Sequence, residues 1–193
     1  MLPISLLALA ATTHAAEISV SPGDSIQTAI NEAVPGDIIV IAAGTYEEDL
    51  STESEGTSTS PITLRGDGEV VITALGEVLA VDHGYWIVED IIFDGQYGSA
   101  DTLDIDDDAS DLALRRVEVR RSGRDCIDMG APDGVSIVDS EIHHCLHYDA
   151  DDEERVDAHG ITGGAVTNLV IEGTDIHTFS GDAVQVDPGR TAP

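Results

Sequence analysis

Short runs of alternating apolar and polar residues fill most of this chain, and the runs recur at a nearly constant spacing. The segment that begins at Leu112 aligns without a gap with the segment that begins at Leu169, at a shift of 57 residues. Another copy begins at Val135, 23 residues after Leu112, and an earlier copy begins at Trp86, a predicted core residue. Alternation with period two predicts β-strands that bury one face, separated by bends rich in Gly, Asp, Ser and Asn.

The repeat unit of about 23 to 26 residues is typical of a solenoid built from β-strands. One unit cannot bury its apolar face alone. Stacked coils can do so, with equivalent strands pairing in parallel about 4.8 Å apart. We therefore predict an all-β solenoid in which residues 82–187 form the repeated coils and residues 17–81 form a cap and the first coils.

The cap is predicted to contain an amphipathic helix. Asp24 and Gln27 have the spacing of a capping box, and Pro35 ends the pattern. The apolar positions between them have helical spacing: Ile26, Ala29, Ile30, Ala33 and Val34. Because the open end of a solenoid exposes its apolar interior, this helix is expected to cover that end.

The cap resembles that of secreted β-helix polysaccharide lyases and their relatives in two strings, SIQTAINEAVPGDIIVIAAGTYEEDL and SPITLRGDGEVVI. Together with the repeat, it makes the chain similar to the right-handed parallel β-helix of the pectate-lyase-like superfamily. The resemblance implies fold but not reaction, because lyases, esterases and other β-helix proteins share such a cap. Members usually continue for further coils, so we expect this chain to be truncated at its C-terminus.

Composition restricts the partners of the chain. It has 38 acidic residues, 8 Arg, no Lys and a formal charge of −30. This charge excludes nucleic acids and anionic membranes as partners, and it favours divalent cations, a saline habitat or both. An acidic polysaccharide remains possible as a partner where Ca²⁺ bridges the two. We expect the protein to be a monomer.

Residues 1–16 resemble a secretory signal peptide. An apolar run from Ile4 to Ala11 precedes small residues at Ala15 and Ala16. We expect export of the protein, with a mature chain that starts near Ala16 or Glu17 and a β-helix domain over residues 17–193.

The two cysteines, Cys126 and Cys145, can pair in an oxidising compartment. Ala183 takes the position of Cys126 in a later coil. A small packed thiol is therefore favoured over a disulfide.

The repeat register predicts two lines of stacked polar side chains beside one strand, which spans Leu103–Ile105 and its equivalents in later coils. The outward line lies within this strand and points to solvent by period two; its members are Asp104, Asp128, Thr162 and Gln185. The bend line lies just before the strand; its members are Asp101, Asp125, His159 and Asp182.

Asp104 and Asp128 are expected about 5 Å apart on neighbouring coils. Two like charges at that distance need a cation or a raised pKa. The sequence therefore predicts a Ca²⁺ site here, with further oxygen ligands from Asp106, Asp107 and Asp108. The alternatives are a solvated acidic surface, or a carboxylate pair with the spacing of a glycoside hydrolase.

In the bend line, aspartates that follow glycine can simply shape turns. His159 interrupts that pattern after an inserted loop, and an enlarged bend of a solenoid is typically its functional side. The catalytic candidates are Asp125, His159, Asp182, Arg124 and Arg190. The candidates for sugar contact are Tyr97, Tyr148 and Gln185.

Two families offer chemistry for these residues. The strings DCID and HGI are similar to the DDC and GHG motifs of polygalacturonase-type hydrolases, with Asp125 and His159 matching and Arg124 standing at the first Asp. Lyases of this fold instead use Ca²⁺ to neutralise the uronate carboxylate and a Lys or Arg to take the C5 proton. Because the chain has no Lys, this resemblance implies that an Arg acts as the base. Arg124 and Arg190 are nearest the predicted site.

The triplet His143, His144 and His147 is interpreted as bend residues rather than as a zinc site, because Ile142–His143 aligns with Ile176–His177. Ca²⁺-assisted β-elimination on an acidic polysaccharide is the leading interpretation of function. The alternatives are a polygalacturonase-like hydrolase and a non-catalytic β-helix that binds glycan or calcium.

Overall fold

The computed structural model describes residues 15–147 and 156–187. These residues form a right-handed parallel β-helix of about 7 turns with one short helix. The early elements are β1 (Glu17–Val20), α1 (Ile26–Glu32), β2 (Ile38–Glu47), β3 (Leu50–Ser51), β4 (Ile62–Thr73), β5 (Leu79–Val81), β6 (Trp86–Glu89), β7 (Ile92–Asp94) and β8 (Leu103–Ile105). The later elements are β9 (Ala113–Arg115), β10 (Glu118–Ser122), β11 (Ile127–Met129), β12 (Ser136–Val138), β13 (Glu141–Cys145), β14 (Ile161–Gly163), β15 (Val170–Glu172), β16 (Asp175–Phe179) and β17 (Val184–Val186).

The strands stack in three columns, and every pairing between named strands is parallel. The first column holds β1, the first halves of β2 and β4, then β6, β9, β12 and β15. The second column holds the second halves of β2 and β4, then β7, β10, β13 and β16. The third column holds β3, β5, β8, β11, β14 and β17. The predicted repeat and register are confirmed.

Apolar ladders fill the tube between the columns. One ladder contains Leu79, Leu103, Ile127 and Ile161, each at most 1% exposed. Trp86 is also buried, and its indole N–H donates to the carbonyl of Ser54 at 2.9 Å. Since side chains alternate along each strand, the residues between these buried positions point outward and are free for chemistry.

The cap helix forms, but the predicted capping box is wrong. Ser25 is the N-cap, and its side chain accepts from the N–H of Thr28. The carboxylate of Asp24 instead accepts from the N–H of Ser21 in the preceding turn, which delays the helix by one residue. Gln27 bonds both the N–H and the carbonyl of Ser51 on β3, so the helix closes the open end of the third column.

The cysteines form a disulfide, which makes the packed-thiol interpretation wrong. Cys126 and Cys145 lie on opposite sides of one corner of the solenoid with Cα atoms 5.3 Å apart. Their separation of 19 residues is less than one repeat, because Cys145 is the register partner of Ser122, which precedes Cys126 on the neighbouring coil. Both side chains are fully buried.

None of the helices that the structure describes is long and apolar enough to cross a lipid bilayer.

Candidate functional site

The bend line forms a connected set of side chains at the corner that precedes the third column. The N–H of Asp125 donates to Oδ1 of Asp101 at 2.8 Å. On the next coil, the backbone N–H of His159 donates to Oδ1 of Asp125, and Nδ1 of the imidazole lies 3.0 Å from the same oxygen. Nε2 of His159 lies 4.0 Å from Oδ2 of Asp182. The structure therefore brings all four members of this line together.

The imidazole of His159 occupies a shaped position. Its side chain is 13% exposed, whereas that of Asp182 is 73% exposed. The ring lies over Gly181, where an added Cβ would stand 3.0 Å from Nε2. A glycine at this position thus makes room for the ring, and Asp125 fixes its orientation. The result is a histidine with Nδ1 held by the carboxylate of Asp125 and with Nε2 between Gly181 and the exposed Asp182.

The outward line also has the predicted register. Asp104 pairs with Asp128 across β8 and β11, Asp128 pairs with Thr162, and Thr162 pairs with Gln185. Burial raises the pKa of Asp104 to about 6, and the negative charges of Glu77 and Asp128 add to the effect. Burial and then the charge of Asp125 raise the pKa of Asp128. These shifts mean that the pair resists carrying two charges without a compensating cation.

Asp106, Asp107 and Asp108 lie in the turn after β8. Oδ1 of Asp107 accepts from the N–H of Ala131 on the next coil at 2.6 Å, so this carboxylate already braces the turn. In the described ranges, these residues do not combine with Asp104 and Asp128 into three ligand atoms within 4.8 Å of one another. The structure thus brings together two of the five predicted metal ligands.

A groove of about 810 Å³ runs along the corner beside the bend line. It is lined by Leu75, Tyr97, Arg124, Leu146 and His147, among others. Coils stack very closely at its floor, because a Cβ on Gly123 would stand 1.8 Å from the carbonyl oxygen of Gly98. Only glycine permits this approach of two backbones. Arg124, which precedes Asp125 in the chain, is the lining residue that adjoins the bend line.

Arg124 and Tyr97 are both open to this groove. The side chain of Arg124 is 56% exposed and its Nε lies 3.9 Å from Oδ1 of Asp101. Tyr97 is 47% exposed. Gln185 is exposed at the far end of the outward line. Tyr148 and Arg190 lie outside the described residues.

Other arginines on these coils are held more tightly, in salt bridges on the outer face of the solenoid. Asp94, whose side chain is 2% exposed, accepts from Nε of Arg120 at 2.8 Å and from Nε of Arg121 at 2.7 Å. Burial opposes the charge of Asp94, but the hydrogen bonds from Arg121 and Arg120 outweigh it and hold its pKa below the usual range. Arg116 binds Asp90 and Glu89 in the same way.

Sequence reasoning missed a second polar array, which lies on the outer face of β10, β13 and β16. Arg120, His143 and His177 are register partners there, as are Glu118, Glu141 and Asp175. His143 lies inside β13, and the bend falls at His144, which has φ of 58°. The repeat alignment already contained the signal, because it placed His143 on His177 at an outward position.

Comparisons with known proteins agree with this geometry. The sequence profile of the chondroitinase B family matches residues 20–111, which is just under half of the chain. A search of curated proteins finds no match. A structure titled rhamnogalacturonan lyase superposes with a TM-score of 0.70 at 13% identity, covering 89% of this chain and 56% of that one.

Two further structures share the fold. A mannuronic-acid-specific polysaccharide family 6 lyase from human gut microbiota gives a TM-score of 0.53 at 21% identity, covering 81% of this chain and 40% of that one. ORF18 of Geobacillus virus E2 gives a TM-score of 0.58 at 14% identity, covering 91% of this chain and 43% of that one. The chain thus spans about half or less of the length of these structures.

The stacked columns and the cap, together with these matches, define the class of the protein. It is a parallel β-helix, the fold that it shares with the structure titled rhamnogalacturonan lyase, and its residues 20–111 resemble the chondroitinase B family.

Proposed function

We propose that this protein cleaves an acidic polysaccharide by cation-assisted β-elimination, at the corner between the bend line and the outward line. The observation that carries the proposal is the pair formed by Asp125 and His159, with Nδ1 3.0 Å from Oδ1. A histidine whose Nδ1–H is held by a carboxylate presents the lone pair of Nε2, which is the form that a general base needs.

The chain has no lysine to act as the base, and His159 takes that role in this proposal. A neutral imidazole accepts a proton near neutral pH, whereas a guanidinium gives up its proton only in exceptional surroundings. Nε2 of His159 takes the C5 proton of a uronate residue in this proposal. The lone pair released at C5 forms the C4–C5 double bond, and the C4–O bond to the leaving sugar breaks.

The acidic pair Asp104 and Asp128 fits a calcium ion. Both donors are carboxylates, the ligands that Ca²⁺ prefers, and both have pKa values raised by burial and by like charge. When bound, a Ca²⁺ ion supplies neutralisation of the uronate carboxylate, which makes the C5 proton acidic enough to remove. Of the five predicted ligands, the structure pairs these two in register, so water and substrate oxygens would complete the coordination.

The groove fits a chain of acidic sugars. Tyr97 offers an exposed ring for stacking on a sugar face, and Arg124 offers a guanidinium for a uronate carboxylate. Arg124 is better suited to this role than Arg120 or Arg121, because those two are committed to the buried carboxylate of Asp94. Binding along the groove would place a sugar beside Arg124, which adjoins Asp125 of the bend line.

Hydrolysis is the second candidate, and one observation favours it. A carboxyl with a pKa of about 6, such as Asp104, is suited to protonate a leaving oxygen. Its register partner Asp128 lies one coil away, at about 5 Å, which is the spacing of a retaining glycosidase. In this reaction His159 would have no direct role.

Export of the protein is part of the proposal. The disulfide between Cys126 and Cys145 is of the kind that persists in oxidising compartments. A polymeric substrate also has to be met outside the cell. The signal-like segment lies almost wholly outside the described residues.

The test is a screen of uronate polymers with two readouts, the ultraviolet absorbance of an unsaturated uronate and the number of reducing ends. Elimination predicts that both rise together. An increase in reducing ends without a rise in absorbance would show hydrolysis and contradict elimination. Binding of a polymer without either product would make the chain a glycan-binding β-helix.

A further inference from the structure

The second polar array contains two histidine–carboxylate pairs on neighbouring coils. Nε2 of His143 lies 3.1 Å from Oε1 of Glu118, and Nε2 of His177 lies 3.1 Å from Oε1 of Glu141. The rings of His143 and His177 stack with centroids 5.0 Å apart and planes 10° apart. The register of β10, β13 and β16 therefore produces a small grid of imidazoles and carboxylates.

Three of these side chains converge on one point. The ligand atoms of Glu118, Glu141 and His143 all lie within 4.8 Å of one another, and no other described group of three such residues does so. Glu118 and His143 are mostly covered, with side chains 25% and 14% exposed. Glu141 is 51% exposed, so the point is open to solvent on one side.

The Nδ1 atoms of both histidines have hydrogen-bond partners that suit metal binding through Nε2. Nδ1 of His143 lies 2.6 Å from Nδ1 of His144, and Nδ1 of His177 lies 2.9 Å from Oγ1 of Thr178. A histidine that binds a metal through Nε2 commonly donates its Nδ1–H to such an acceptor, which fixes the tautomer and the ring orientation. Both histidines of the array have this arrangement.

We propose that Glu118, Glu141 and His143 form a site for Zn²⁺ or a similar transition-metal ion, and that water completes its four ligands. Zinc accepts imidazole nitrogen and carboxylate oxygen together and is satisfied with four ligands. Calcium takes oxygen ligands only, in larger number, so the array and the outward line select different ions.

The metal would tie coils together. Glu118 belongs to β10 and the other two ligands belong to β13, so one ion would cross-link two neighbouring coils in the second column. This inference does not rest on the proposed elimination reaction, because the site lies on a different column.

The test is calorimetric titration of the metal-free protein with ZnCl₂, in excess Ca²⁺ to occupy the acidic surface. We expect one equivalent to bind, and Co²⁺ to give the intense visible absorption of a four-coordinate ion. His143→Ala and Glu141→Gln should each weaken zinc binding by about 10- to 100-fold or more, as even the loss of an outer partner does. His83→Ala is the matched control, since His83 contacts Thr52 far from the array.

Failure can be recognised in three ways. Absence of saturable zinc binding overturns the proposal, as does equal affinity in the His143→Ala variant and the wild type. Weak Co²⁺ absorption would also contradict the inferred geometry. Glu141 is half exposed, so Glu141→Gln should fold and keeps the test valid if His143→Ala does not. Asp104→Asn with Asp128→Asn should leave zinc binding unchanged.

Discussion

The imidazole of His159 rests on the carboxylate of Asp125, with Nδ1 3.0 Å from Oδ1, although the two residues are 34 positions apart in the sequence. Stacking of neighbouring coils creates this contact, and the same oxygen of Asp125 also accepts the backbone N–H of His159. A single aspartate therefore sets both the position and the ring orientation of the candidate base.

Replacing this base should abolish turnover while leaving substrate binding nearly intact. We expect His159→Gln to lower kcat by about 10²- to 10⁴-fold, the usual contribution of general base catalysis, with little change in KM. Asp125→Asn should also lower kcat, because the carboxylate oxygen that lies 3.0 Å from Nδ1 and orients the imidazole is lost. Initial rates on the preferred uronate polymer measure both effects.

Glu172→Gln, an exposed acid on β15, is the control for this pair of variants. It should match the wild type in rate and in melting temperature. If His159→Gln kept the wild-type kcat, His159 would not be the base and the role of Asp125 would reduce to shaping the bend.

Asp104 should destabilise the metal-free protein at neutral pH. Its pKa is raised to about 6, so the folded state holds the proton more tightly than the unfolded state does. Stability should therefore fall as pH rises from about 4 to about 6, and the penalty is complete above that window. Asp104→Asn removes it and should raise Tm by roughly 2 °C at neutral pH, with no gain near pH 4.

Calcium should reverse the loss of stability that ionised Asp104 causes at neutral pH. Melting of the wild type should shift upward with added Ca²⁺, since a ligand of the folded state stabilises it. The double variant Asp104→Asn, Asp128→Asn should show no shift beyond that given by equal ionic strength from NaCl. A full calcium response in the double variant would place the ion elsewhere.

The disulfide should contribute strongly to stability. A loop closed over the 19-residue separation of Cys126 and Cys145 corresponds to about 3 kcal/mol in the chain-entropy estimate. Reduction should then lower Tm by roughly 6–12 °C in a domain of this size. The double variant Cys126→Ala, Cys145→Ala should melt at the lower temperature with and without reductant. Two titratable thiols in the unreduced, denatured protein would contradict the bond.

The mature protein should begin at Ala16. The backbone nitrogen of Ala16 lies 2.8 Å from Oδ1 of Asp37, a residue only 4% exposed. Cleavage after Ala15 would put a positive α-amino group at that buried carboxylate, and Ala15 is a small residue of the type that signal peptidases accept. Intact mass of the exported protein decides this. A start at Glu17 would leave Asp37 without that partner and contradict the prediction.

The columns could be predicted because each coil repeats the same period-two pattern. Leu103, Ile127 and Ile161 are equivalent in sequence, so Asp104 and Asp128 had to be neighbours in space. The same logic placed Asp125 beneath His159. The repeat gave no distances, and it could not show that a single oxygen of Asp125 contacts both the backbone N–H and Nδ1 of His159.

Contacts that run around a coil rather than along the stack could not be predicted in this way. The bond between Cys126 and Cys145 depends on how the chain turns at the corner between Ser122 and Cys126. The start of the cap helix depends on how the turn from Ser21 to Asp24 closes. The pair formed by His143 and Glu118 lay within the repeat, but it was overlooked because the histidine was interpreted as a bend residue.

The most direct test of the central claim is the ultraviolet absorbance of unsaturated uronate, followed on a responsive uronate polymer before and after chelation of the protein. Absorbance should rise with Ca²⁺ present, stop after chelation, return when Ca²⁺ is restored, and fail in His159→Gln under all three conditions. Undiminished absorbance after chelation, or no absorbance on any uronate polymer, would contradict cation-assisted elimination at this site.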